Sequence, residues 1–293
     1  MPLFTGSGVA MITAFTHDGI NFDAQGKIID YLVQNGADAL FVCGTTGEPS
    51  TMTPREREDL IEFTLQKVNK RIPVFAGSGG NNTDESVKFS KRCESLGADG
   101  LLVVTPYYNK CTQNGLLAHY GAIGEAVNIP IIAYNVPTRT NVNILPETAR
   151  KLADIKNIRA LKEASGDIHQ ISEIIRQTQG KLDIYSGDDS LTVPAMSLGA
   201  VGVVSVAANV VPDKMHNMAK LCKNGKFHEA AKIHFELAAL TKLLFCEVNP
   251  IPTKKAMQLL GFNVGTPRLP LTELEPQNTV ALSNEMKKLN LIK

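Results

Sequence analysis

Short runs of Val, Ile, Leu and Ala recur along the chain, each followed by a stretch with apolar residues at helical spacing. The runs are Val9–Phe15, Ala39–Cys43, Val74–Gly77, Leu101–Thr105, Ile131–Asn135, Ile158–Glu163, Ile184–Ser186 and Gly202–Val206. Most are continuously apolar and do not alternate with polar residues, the pattern of parallel strands covered on both faces. The segments between them have helix ends. Thr53-Pro54-Arg55-Glu56 is a capping box with proline at the first helical position, followed by Leu60, Ile61, Leu65 and Val68. Asn82 and Glu85 start the next helix, and Gly97 closes it. Strand entries also repeat: Gly36-Ala37-Asp38, Gly97-Ala98-Asp99 and Gly199-Ala200-Val201 form one group, Ile72-Pro73 and Ile129-Pro130 another.

Eight reused βα units predict an α/β protein of the closed (β/α)8 TIM-barrel type. An open six-stranded sheet would leave two units over, and no GxGxxG follows the first run. After about residue 223 the strand signals stop. Residues 226–246 read as an amphipathic helix carrying Phe227, Ala230, Ala231, Phe235, Leu237, Ala238 and Leu240, with further helices near 251–260 and 272–290. The expected layout is a catalytic barrel over 1–222 and a C-terminal helical extension over 223–293, the latter serving packing or oligomerisation.

Composition narrows the function. With 30 Lys and Arg against 29 Asp and Glu and no like-charge block, nothing favours nucleic acid or an anionic membrane. Cys43, Cys93, Cys111, Cys222 and Cys246 are scattered and odd in number, which points to a reduced, cytoplasmic protein without disulfides. Met1–Gly6 lacks a charged region leading into an apolar one, so no secretory leader is expected. The six histidines show no metal-ligand spacing, and Asp188-Asp189 is expected to cap the helix starting near Ser190. Cys111 has no evident histidine partner, which argues against a catalytic thiol.

In a barrel of this kind the chemistry sits at the C-terminal ends of the strands. Lys162 lies inside an apolar strand, with the small Ala160 and Ala164 on its face. Burying an ammonium disfavours its charged form and frees a nucleophilic amine, the requirement for Schiff-base catalysis. A lysine paired with adjacent Glu163 is the competing reading. Tyr134 ends the preceding strand, and neighbouring strands lie about 4.8 Å apart, within reach for proton transfer. Thr45-Thr46-Gly47 offers hydroxyls and backbone N–H groups for a carboxylate, and Arg139 a bidentate fork for another. Taken singly, each has a bland alternative: a core tyrosine, self-satisfied turn threonines, a solvated arginine.

Together, GTTGE at 44–48, PYYN at 106–109, YNVPTRT at 134–140, KEASGD at 162–167 and NPIPTK at 249–254 resemble the dihydrodipicolinate synthase family along essentially the whole chain. The resemblance implies that Lys162 forms an imine with pyruvate. Thr46, Tyr134 and Tyr108 would relay protons, Tyr108 reaching into a neighbouring subunit. Thr45 and Thr46 would hold the pyruvate carboxylate, Gly187 and Val204 would line the pocket, and Arg139 would bind the carboxylate of L-aspartate 4-semialdehyde. It further implies no metal or organic cofactor and a homotetramer built as a dimer of dimers. The N-acetylneuraminate and 2-keto-3-deoxy sugar acid aldolases of the same superfamily are the second reading. They share the lysine but do not need a carboxylate clamp at Arg139. A non-enzymatic barrel would be expected to lack Lys162, Tyr134 or Arg139, and all three are present.

In feedback-inhibited members of that family, lysine binds between subunits at positions that here are Ser50, Arg57, Asn81, Glu85 and Tyr107. Arg57 stands where a histidine is usual, and a fixed cation repels the lysine ammonium. Weak or absent inhibition by lysine is the expected result. Half-inhibition at low millimolar lysine or below, in a steady-state assay, contradicts it.

Overall fold

A computed structural model describes residues 1–293. Its eight strands are β1 Gly6–Ala10, β2 Ala39–Val42, β3 Val74–Gly77, β4 Gly100–Val104, β5 Ile131–Asn135, β6 Ile158–Glu163, β7 Asp183–Ser186 and β8 Gly202–Ser205. They pair in sequence order, all parallel, and β8 closes on β1, giving the expected barrel. Two buried clusters result. A small one fills the barrel interior, with Phe4, Phe41, Phe75, Tyr134 and Tyr185 among its members. A larger one lies between strands and helices and continues into the C-terminal helices through Leu237, Leu240, Met257 and Leu282. No helix is long and apolar enough to cross a membrane.

Seven strands lie within one residue of their expected spans at each end, and one does not. The first lies at Gly6–Ala10, and the apolar run from Met11 to Phe15 leaves the sheet. Its backbone is satisfied elsewhere: Ile12 N–H donates to Asn209 Oδ1, Ala14 N–H to Gln25 Oε1, and Phe15 N–H to the Val264 carbonyl. Gly8 belongs in the strand because a Cβ there would lie 2.5 Å from the Phe41 ring. Tight packing of the interior selects glycine against its poor strand preference.

The helix ends follow the sequence. Thr53 and Glu56 form the reciprocal capping box of helix Pro54–Val68. Asn82 caps Thr83–Leu96, which Gly97 closes at φ 93°. The C-terminal helices are Phe227–Leu243, Ile251–Leu259 and Pro276–Lys288. In the first of these Ala230, Leu237 and Leu240 are buried. Phe235, expected on that face, is instead 73% exposed. It lies two residues from Leu237, about 200° around the helix.

Candidate active site

Lys162 points into the barrel interior and is 4% exposed. No ion pair or hydrogen bond holds its nitrogen, which lies 4.2 Å from the centre of the Tyr134 ring. The two residues are register partners on β5 and β6, so the phenol and the amine share one face of adjacent strands. The expected competitor for the lysine, Glu163, turns outward. Its carboxylate accepts from Ser165 N–H (2.7 Å), Asn135 Nδ2 (2.8 Å) and Gln170 Nε2 (3.2 Å). Gly187 follows β7, and a Cβ there would sit 3.0 Å from Lys162 Cε and 2.7 Å from Ala164 Cβ. Only glycine leaves the lysine stem its room. Val204 on β8 is buried in the same interior cluster as Tyr134.

A cavity of about 340 Å³ meets these residues at Tyr134; Thr45 and Arg139 also line it, as do Ser50, Arg57 and Tyr107, whereas Lys162, beside Tyr134, is not itself in its wall. Arg139, in the short helix Pro137–Thr140, is exposed; its Nη2 donates to the Asn249 carbonyl at 3.1 Å, and no carboxylate pairs with it. Thr46 is buried, and its Oγ1 accepts from Asn249 Nδ2 at 2.9 Å. Thr45–Gly47 forms a single 3-10 turn in which Gly47 and Glu48 donate back to Gly44 and Thr45. Tyr108 is not in the cavity wall. It stands 88% exposed at φ 69°, next to Tyr107, which does line the cavity.

The five positions of the suspected lysine site separate. Ser50, Arg57 and Tyr107 line the cavity mouth; Asn81 and Glu85 are exposed and outside that lining, with Glu85 paired to Lys88 at 2.9 Å. The Arg57 guanidinium stacks 3.8 Å over the Phe89 ring and donates to the Gly77 carbonyl. It is therefore a held cation and does not swing freely.

Other residues behave as follows. Asp188 caps the turn Asp189–Leu191 by accepting from Ser190 N–H at 2.8 Å. Asp189 does not share that job. It is buried and accepts from Val206 and Ala207 N–H, and burial raises its carboxyl above the usual range. Burial likewise raises the Cys111 thiol. No group of three or more His, Cys, Asp or Glu side chains is placed to hold a metal ion.

Sequence reasoning missed the supports of the site. Asn249 reaches both Thr46 and Arg139. Lys254, in helix Ile251–Leu259, forms a fully buried ion pair with Glu48 at 2.8 Å. Asn135 and Glu163 bond each other behind Tyr134 and Lys162. A signal existed for this last pair: polar residues at strand positions facing a helical layer are out of place unless bonded to one another.

The family model described as the dihydrodipicolinate synthetase family matches residues 3–289. The 4-hydroxy-tetrahydrodipicolinate synthase of Clostridium novyi is 50% identical over 290 residues, spanning 99% of this chain and 98% of that protein. The crystal structure of dihydrodipicolinate synthase from Aquifex aeolicus is 47% identical with a TM-score of 0.96, covering 98% of this chain and 99% of that one. The chloride-inhibited dihydrodipicolinate synthase from Acinetobacter baumannii, solved with pyruvate, is 41% identical with a TM-score of 0.96, covering 98% and 99%. Matched by its family model almost from end to end, and sharing half its residues with a relative of equal length, the chain belongs to the dihydrodipicolinate synthetase family.

Proposed function

We propose that this protein is a class I aldolase-type enzyme, a 4-hydroxy-tetrahydrodipicolinate synthase that condenses pyruvate with L-aspartate 4-semialdehyde in diaminopimelate and lysine biosynthesis. The observation that carries the reading is the buried Lys162, without ion pair or hydrogen bond, beside Tyr134, which lines a cavity that also holds the Arg139 guanidinium with no carboxylate paired to it. The relatives' names supply the reaction, and the pyruvate-bound relative supplies the first substrate.

The Lys162 amine attacks the C2 carbonyl of pyruvate to give a carbinolamine. Loss of water gives the imine, and loss of a C3 proton gives the enamine. The enamine carbon attacks the aldehyde of the second substrate. That substrate's amine then closes on the imine carbon and expels the lysine. Tyr134, Thr46 and Tyr108 pass the protons, Tyr108 from a neighbouring subunit. The 88% exposure of Tyr108 suits a side chain that serves a partner. Thr45 and Thr46 hold the pyruvate carboxylate, with Gly187 and Val204 shaping the pocket. On this reading the protein is a homotetramer, a dimer of dimers, and works in the cytoplasm, where its five unpaired cysteines stay reduced.

The deciding experiment is incubation with pyruvate and borohydride, with the adduct located by mass spectrometry. An adduct on Lys162 supports the reading; none, or one elsewhere, overturns it. Comparing L-aspartate 4-semialdehyde with N-acetylmannosamine separates it from the sugar acid aldolases. Arg139→Ala is expected to raise KM for the semialdehyde by about 10- to 100-fold, the worth of a charged bidentate contact, and to leave the KM for pyruvate unchanged. A rise confined to pyruvate would remove Arg139 from the acceptor site.

A further inference from the structure

The pairing of β6 with β5 is not regular. Ile131 pairs with Ile158, but Ile132 pairs with Ala160, so Arg159 is an extra residue and a bulge. The bulge reverses which face each residue takes. Ile158 packs outward against the helices, and by strict alternation Ala160 and Lys162 would follow it there. Instead Arg159 is exposed, and Ala160 joins the barrel interior beside Ile132 and Tyr134. Lys162 reaches the interior only because of this one-residue insertion. Were β6 to slide back by one residue, Leu161 would face Tyr134 and Lys162 would turn toward the helices.

Immediately beyond Tyr134 and Lys162, the next register pair is Asn135 and Glu163. Both side chains point outward and are fully buried. Asn135 Nδ2 donates to Glu163 Oε2 at 2.8 Å and lies 2.7 Å from Asn143 Oδ1. Gln170, in helix Ile168–Thr178, donates to both of those acceptors at 3.2 and 3.0 Å and accepts from Asn143 Nδ2. Asn135 Oδ1 accepts from Ile144 N–H, and Glu163 Oε1 from Ser165 N–H. Burial pushes the Glu163 carboxyl above its usual range while these donors pull it back, and no cation pairs with it. A slipped register would separate the carboxylate from Asn135 on β5 and from Gln170 on the helix, leaving it only the local Ser165 N–H, a costly state for a buried acid.

We propose that Glu163 is a positioning residue for the reaction: with Asn135, Asn143 and Gln170 it locks the bulged register that turns Lys162 inward onto Tyr134. The proposal rests on the reading of Lys162 as the pyruvate-binding amine. It adds the device that aims that amine.

The test compares Glu163→Gln, Asn143→Ala and the paired swap Asn135→Asp with Glu163→Gln against the unmodified enzyme. An amide at 163 sets donor against donor. Glu163→Gln is expected to lower kcat, and the rate of borohydride-trapped pyruvate adduct on Lys162, each about 10- to 100-fold, the effect of misplacing a reacting group by an ångström. KM for pyruvate stays within about threefold, because the cavity wall is untouched. The swap restores one donor–acceptor pair and recovers at least about threefold of the lost kcat. Unchanged kcat in Glu163→Gln, or no recovery in the swap, overturns the proposal. Should Glu163→Gln fail to fold, Asn143→Ala decides in its place: a kcat lowered about threefold or more at constant KM supports the lock, and an unchanged kcat overturns it. The unmodified enzyme separates the two claims. If it forms no adduct on Lys162, the reading of the function fails; if it does and the variants match it, only the lock fails.

Discussion

Lys162→Ala is expected to lower kcat by at least about 10³-fold and to abolish the borohydride-trapped pyruvate adduct. The size follows from the chemistry. The lysine nitrogen is the atom that bonds to the substrate, and removing a covalent catalyst removes the pathway itself, whereas removing a helper only slows it. Lys162→Arg should be as inactive, because a guanidinium stays protonated and cannot attack a carbonyl. Fold should survive in both. The nitrogen makes no hydrogen bond or ion pair, its main contact being the Tyr134 ring at 4.2 Å, so little tertiary structure depends on it. Thermal unfolding separates the cases: a Tm near that of the unmodified enzyme with activity lost assigns the lysine to chemistry. Residual kcat above about one-hundredth would show that another group carries the reaction.

Lys162 and Tyr134 were legible in the sequence because each breaks an apolar strand, and strand ends in a barrel face the active site. The eight strands were legible for a related reason. Parallel strands buried on both faces leave no polar alternation, so they stand out as unbroken apolar runs. The misplacement of β1 shows where that logic stops. Met11–Phe15 is as apolar as any strand, but Gln25, Asn209 and Val264 complete its backbone hydrogen bonds, and no local pattern announces the last two, which lie some two hundred positions away or more. The bulge at Arg159 was invisible too, since an apolar run does not state its register. The C-terminal supports are the clearest case. Asn249 meets Thr46 across 203 positions and Lys254 meets Glu48 across 206. The motifs GTTGE and NPIPTK were visible separately; that one braces the other is a property of the fold alone.

That brace has the largest expected effect on stability. Lys254→Met keeps the side-chain stem and deletes the charge. Glu48 then remains 0% exposed, with one oxygen accepting from Arg268 N–H at 3.0 Å and the other without its cation. Breaking a buried pair from one side costs about 3–5 kcal/mol, because the remaining charge is neither hydrated nor compensated. For a chain of this size that lowers Tm on the order of 10 °C. Lys254 is itself held by more than the carboxylate: it donates to the Thr266 carbonyl at 3.2 Å and lies 4.4 Å from the centre of the Phe15 ring, whose neighbourhood Arg268 shares. The site should feel the loss. Glu48 takes a left-handed conformation (φ 56°) directly after the Thr45–Gly47 turn, so releasing its side chain loosens the turn that presents Thr45 and Thr46. A raised KM for pyruvate is expected alongside the lower Tm. The double variant Glu48→Gln with Lys254→Met removes the stranded charge and should regain a large part of the stability, since it is the unpaired acid that is costly. Calorimetry on the unmodified, single and double variants checks this directly. A single variant within about 2 °C of the unmodified protein would show that water reaches Glu48, and a double variant no more stable than the single would place the cost in the lost lysine contacts rather than in the stranded carboxylate.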